Sequence, residues 1–67
     1  MRAKQIVALL KQAKQEKKMT LNQIASHSGV AIRTVNRIFA GEDVRFSSLI
    51  TVLDTLDLNI YVTEKVA

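Results

Sequence analysis

Between Thr20 and Gly41 the chain reads TLNQIASHSGVAIRTVNRIFAG, and its one interior glycine decides what this stretch can become. Glycine turns a chain at positive φ without steric cost, so Gly29 predicts a sharp corner between two short helices. The first starts at Thr20, which with Gln23 three positions on matches a capping box: the hydroxyl accepts from a free amide while the glutamine reaches back to the cap. This helix is predicted over Leu21 to Ser26 with Ile24 and Ala25 inward, and His27 and Ser28 lead into a corner plugged by Val30. Ala25 is small enough for the next helix to cross closely. That next helix is predicted from Ala31 to Ala40 and stops at Gly41, a favourable C-cap. If Ala31, Val35, Ile38 and Phe39 point into the protein, helical spacing turns Arg33, Asn36 and Arg37 outward together.

The flanking segments supply packing partners. Residues 2–15, RAKQIVALLKQAKQ, carry Ile6, Leu9, Leu10 and Ala13 at spacings of three and four, with Arg2, Lys4, Lys11 and Lys14 mostly opposite, which predicts an amphipathic helix. It ends at Glu16, Lys17 and Lys18 without a glycine, so backbone strain is expected at Lys18. After the acidic connector Glu42, Asp43 and Val44, a fourth helix is predicted over Arg45 to Asp57, with Phe46, Leu49, Val52, Leu53 and Leu56 as its apolar stripe. Ile50 lies off that stripe and is left over for a partner. From Leu58 the period changes to two: Leu58, Ile60 and Val62 alternate with Asn59, Tyr61 and Thr63, the pattern of a strand over 58–64. A lone strand leaves bare amides, and the simplest remedy is the same strand of a second copy across a two-fold axis. A frayed tail or further helix is the alternative.

The chain has 67 residues, 48% of them hydrophobic, with neither proline nor cysteine. A single compact helical domain over 1–67 is therefore expected. Chains this short bury only about 60% of their unfolded surface, which favours a homodimer. Without cysteine there is no disulfide framework or thiolate metal site, and the expected setting is reducing and cytoplasmic. No apolar run approaches the roughly 20 residues of a membrane span, and the N-terminus lacks the pattern of a signal peptide, so no membrane partner is expected. Enzymatic chemistry finds no footing either. His27 is the only histidine, Ser26 and Ser28 beside it have no acid placed to orient it, and Asp54 and Asp57 are expected as surface carboxylates. No phosphate-cradling glycine motif exists, and neither a cofactor nor a metal is expected.

The net charge of +4 favours a polyanionic partner. On the exposed face of the third helix, Arg33 matches guanine O6 and N7, Arg37 the same or a phosphate, Asn36 an adenine, and Ile32 a thymine methyl. Lys14, Thr20, Asn22, Gln23, Thr34 and Arg45 are expected to hold phosphates of double-stranded DNA. The alternative is a protein-interaction module in which DNA binding is secondary.

With these residues in view, TLNQIASHSGVAIRTVNRIFAGEDVRFSSLITVLDTLDL resembles the helix-turn-helix family of phage repressors and Cro proteins, often called the Xre family. The likeness rests on Ile24-Ala25, Gly29-Val30, Thr34-Val35, Ile38, Gly41 and the closing LITVLDTLDL, and it covers roughly residues 4–58. It implies an all-α, lambda-repressor-like bundle of four to five short helices and a transcriptional regulator, expected to be a repressor that reads an inverted repeat. The end of the chain, RFSSLITVLDTLDLNIYV, is similar to the HipB-type antitoxins. That likeness implies a dimerisation strand after the last helix, with Ile50, Leu58, Ile60, Tyr61 and Val62 at the dimer interface, and a toxin protein as a further partner. Two positions depart from the family pattern. Leu21 stands where a phosphate-gripping glutamine is common, and Ala31 stands where a serine or threonine usually caps the reading helix, a cap worth about 1 kcal/mol.

Overall fold

The computed structural model describes residues 3–60, which form four helices: α1 (Ala3–Glu16), α2 (Leu21–Ser28), α3 (Ile32–Ala40) and α4 (Phe46–Thr55). α3 packs on all three other helices, and α2 packs on both α3 and α4. One apolar core joins them through Leu10, Ala13, Ile24, Val35, Ile38, Phe39, Val52, Leu53 and Leu56. Among the described residues no polar or charged side chain is buried, so burial of apolar surface is what holds the helices together. No helix there is long and apolar enough to cross a membrane.

Every helix ends in a left-handed residue, and only half of these ends are glycine. Gly29 closes α2 at φ +76 and Gly41 closes α3 at φ +78, whereas Lys18 and Asp57 take φ +54 and +57 after α1 and α4. At α1 the Met19 amide donates to the Lys14 carbonyl at 3.1 Å and the Lys18 amide to Gln15 at 3.1 Å. At α4 the Leu58 amide donates to Leu53 at 2.8 Å and the Asp57 amide to Asp54 at 3.0 Å, and at α3 Glu42 and Gly41 donate to Arg37 and Ile38. This pair of bonds satisfies carbonyls that would otherwise be orphaned, which offsets the steric cost of a left-handed lysine or aspartate. The strain expected at Lys18 is therefore present, and Asp57, where none was expected, carries the same strain. The two turns are also tied to each other, because Lys17 Nζ donates to Asp57 Oδ2 across the molecule. That pair is solvent-exposed and contributes at most about 1 kcal/mol.

At Gly29 a β-carbon would meet nothing within 4 Å, so any effect of substitution there is a backbone effect. Gly29→Ala is accordingly expected to destabilise the fold by about 1–2 kcal/mol, measured by thermal or urea unfolding, with Gly29→Asn milder. An unchanged stability would show that the corner does not depend on the left-handed conformation.

Several expectations are corrected. α2 extends to Ser28, because the Gly29 amide still donates to the Ala25 carbonyl at 3.0 Å; His27 and Ser28 belong to the helix. Leu9, expected inward, is 59% exposed. α1 packs on α3 along one arc centred on Leu10, and its sequence neighbour points about 100° away. Phe46, expected in the α4 stripe, is 69% exposed. It is the first residue of α4, and side chains lean toward a helix's N-terminus, so it projects past the end of the element instead of onto the core. Ala31 is exposed because it lies outside α3, at the N-cap with φ −57 and ψ 140. Of the strand expected over 58–64 only residues 58–60 are described; they form no strand within the chain, and Leu58 and Ile60 are half-buried against the core. Arg2 and the remainder of the expected strand, including Tyr61 and Val62, lie outside the described residues.

Candidate nucleic-acid interface

The N-terminus of α2 is built by the residues that the capping pattern singled out. The Gln23 amide donates to Thr20 Oγ1 at 3.1 Å and the Thr20 amide donates to Gln23 Oε1 at 2.8 Å. Each side chain has thus given an acceptor oxygen to the backbone. What remains is donor capacity: the Thr20 hydroxyl hydrogen and the Gln23 amide hydrogens. With exposed Asn22 alongside, this end of the helix offers donors and a positive dipole end to an anion.

α3 presents the second half of the surface. Val35, Ile38 and Phe39 are buried, which fixes the helix's rotation and leaves Arg33, Asn36 and Arg37 on the opposite face, all exposed. Ile32 is 40% exposed at the leading end. Among the described residues neither guanidinium has an ion pair, so their donors are uncommitted. Ala40 lies on the same face, seven residues after Arg33 and three after Arg37, and is exposed. Ala40 carries no polar signal in the sequence, although its spacing places it on this face.

The turn at Gly29 brings the two halves together. Ser28 Oγ accepts from the Val30 amide at 3.2 Å, and Val30 packs against the core, so the corner is held from both sides. A donor-bearing helix end is thus joined by a fixed turn to a helix whose outer face carries two free arginines and an asparagine. A helix-turn-helix family model matches residues 10–62, most of the chain. The chain belongs to the helix-turn-helix family. No curated protein matches it.

Helix-turn-helix domains are DNA-binding modules of transcription regulators, and α2 and α3 are the two helices of the motif, with α3 in the position of the helix that enters the groove. The other expected phosphate residues are scattered around this pair. Lys14 and Thr34 are half-buried, at the end of α1 and on the flank of α3 respectively. Arg45 is exposed at the N-cap of α4 and makes no capping bond. A cation at the positive end of a helix dipole is unfavourable there, a local rule broken at a position expected to meet phosphate.

Ala31 likewise caps α3 with no side-chain bond. Since it is exposed, Ala31→Ser is expected to raise stability by about 1 kcal/mol without disturbing packing, read from the urea midpoint at constant m-value. No change would mean that the free amides of α3 are already satisfied by water.

Proposed function

We propose that the protein is a sequence-specific transcriptional repressor that binds an inverted-repeat operator as a homodimer. The observation that carries this reading is the outer face of α3, where Arg33, Asn36 and Arg37 stand exposed together. In this reading the N-terminal half of α3 leads into the major groove. Arg33 pairs bidentately with guanine O6 and N7, Asn36 with an adenine edge, Arg37 with a second guanine or a phosphate, and Ile32 packs on a thymine methyl. The donors of Thr20, Asn22 and Gln23 hold the adjoining backbone, and Lys14, Thr34 and Arg45 add contacts that position the protein without reading sequence.

One short helix covers only a few base pairs. Two copies on a two-fold axis engage half-sites about 34 Å apart, one turn of the duplex, and cover a promoter sterically. Support for the dimer comes from Ile50, 37% exposed on the surface of α4, and from the period-two sequence that follows the helix, with Tyr61 and Val62, in which Leu58 and Ile60 are only half-buried against the chain's own core. A toxin as a further partner enters through the likeness of residues 45–62 to the HipB-type antitoxins, and copurification of the protein with the product of a neighbouring gene tests it.

The decisive experiment is selection of bound duplexes from a random pool by the purified protein. Enrichment of an inverted repeat with half-site centres one helical turn apart is the expected result. Binding without enrichment and with a shallow salt dependence would overturn the reading in favour of a protein-interaction module.

A further inference from the structure

The positive charge of α1 is not spread around the helix. Lys4, Lys11 and Lys14 fall within an arc of about 80° at 3.6 residues per turn, while Gln5, Leu9, Gln12 and Glu16 occupy the other exposed flank. The one carboxylate of α1, Glu16, is at the far end and accepts from Gln12 Nε2 at 3.2 Å. Among the described residues neither Lys4 nor Lys11 has an ion-pair partner.

The tertiary structure then puts this arc beside α3. Lys4, Val7, Ala8 and Lys11 form one wall of a groove whose other wall is Phe39, Ala40 and Gly41. Ala40 is also the last residue of the exposed face that carries Arg33, Asn36 and Arg37. The two lysines therefore border the reading face at the C-terminal end of α3, at the opposite end of that helix from Ile32. Carboxylates also lie nearby: Glu42 and Asp43 line the adjoining groove with Ile6, Val7, Leu10 and Ile38, on the far side of Gly41. They repel an anion from that side and leave the lysine side open to it.

We infer that Lys4 and Lys11 form a second phosphate clamp, which grips the DNA backbone alongside the C-terminal end of α3 while the α2 N-terminus grips it elsewhere. The inference rests on the DNA-reading assignment of α3. The two lysines are seven residues apart, a rise of about 10 Å along the helix, so each meets its own phosphate. The apolar floor of Val7, Ala8, Phe39 and Ala40 suits the sugar faces between them. Such contacts add affinity and salt dependence but no discrimination among sequences.

The test compares the intact protein with a Lys4→Gln, Lys11→Gln double variant, titrated against a fluorescent duplex carrying the selected operator and against a random-sequence duplex, between about 50 and 200 mM salt. Loss of two phosphate contacts is expected to lower the slope of log K against log salt by about 1.8 for the monomer's half-site. Affinity for both duplexes falls together, their ratio stays at the wild-type value, and a Lys4→Arg, Lys11→Arg protein retains the full slope. An unchanged slope in the glutamine variant would overturn the clamp, including the case in which this flank serves an acidic protein instead. A fall in the ratio would overturn it too, since phosphate contacts carry no sequence information. Failure of the wild-type protein to prefer its selected operator is a separate result, which sinks the DNA-reading assignment itself. Both lysines are exposed, so the helical circular dichroism and melting midpoint of each variant should match the wild type. If the glutamine pair melts early, the arginine pair against Lys11→Gln alone gives the same comparison, with an expected slope change of about 0.9.

Discussion

Ile24→Ala is expected to remove about 2–5 kcal/mol of stability, the largest effect of any single substitution considered for this chain. Ile24 is fully buried on α2, the helix that packs on both α3 and α4, so its truncation leaves a cavity where three helices meet. A domain of 67 residues is stabilised by roughly 3–10 kcal/mol at 0.05–0.15 kcal/mol per residue. The variant therefore loses between about a fifth of its stability and all of it, and operator binding falls as far as the fold is lost. Ile24→Val is the control, with an expected cost of about 0.5–1.5 kcal/mol because most of the volume is kept. Urea unfolding followed by circular dichroism measures both. A loss below about 1 kcal/mol for the alanine variant would show that the helices close over the gap.

Arg33→Ala is expected to weaken binding to the selected operator by about 1–3 kcal/mol, roughly 5- to 150-fold, while binding to random duplex falls far less. The reason is geometric. Arg33 stands in the first turn of α3, the end expected to lead into the groove, with no partner of its own to hold it back. A bidentate pair with guanine is lost on truncation, and discrimination relaxes at that one base pair. Arg45→Ala is the contrasting case, because a phosphate contact weakens all duplexes alike and leaves their ratio unchanged. Titration of both variants against matched and scrambled operators separates the roles. An equal fall on both duplexes for Arg33→Ala would reassign that arginine to the backbone.

Much of this architecture was legible in the chain. The capping box at Thr20 and Gln23, the corner at Gly29 and the stop at Gly41 depend on residues within a few positions of one another, so local pattern suffices to find them. The outward face of α3 was equally accessible, because Val35, Ile38 and Phe39 set the phase and Arg33, Asn36 and Arg37 follow from it. Even the left-handed Lys18 could be anticipated from a helix end that lacks glycine. Asp57 was not singled out, although the change of period at Leu58 put the end of α4 beside it; the helix itself stops at Thr55, two residues before the expected end.

The misplaced residues share one cause. Leu9 and Phe46 satisfy helical spacing as well as their buried neighbours do, but spacing says only which side chains share a face and not how much of that face another helix covers. α1 lies on α3 along a narrow arc and α4 begins before its neighbours reach it, so both side chains are left in solvent. The same limit hid the flank of Lys4 and Lys11, whose meaning depends on Ala40 lying across the groove from them.

The linear order of residues was thus enough to determine the four helices, the capping box, the two glycine turns and the outward row on α3, because each is settled by hydrogen bonds and periodicity within about one or two turns. Packing alone decided the pairing of Lys17 with Asp57, forty positions apart, the exposure of Leu9 and Phe46, and the lysine border of the reading face. These features depend on which surfaces the apolar core draws together, a choice made by the whole set of helices at once.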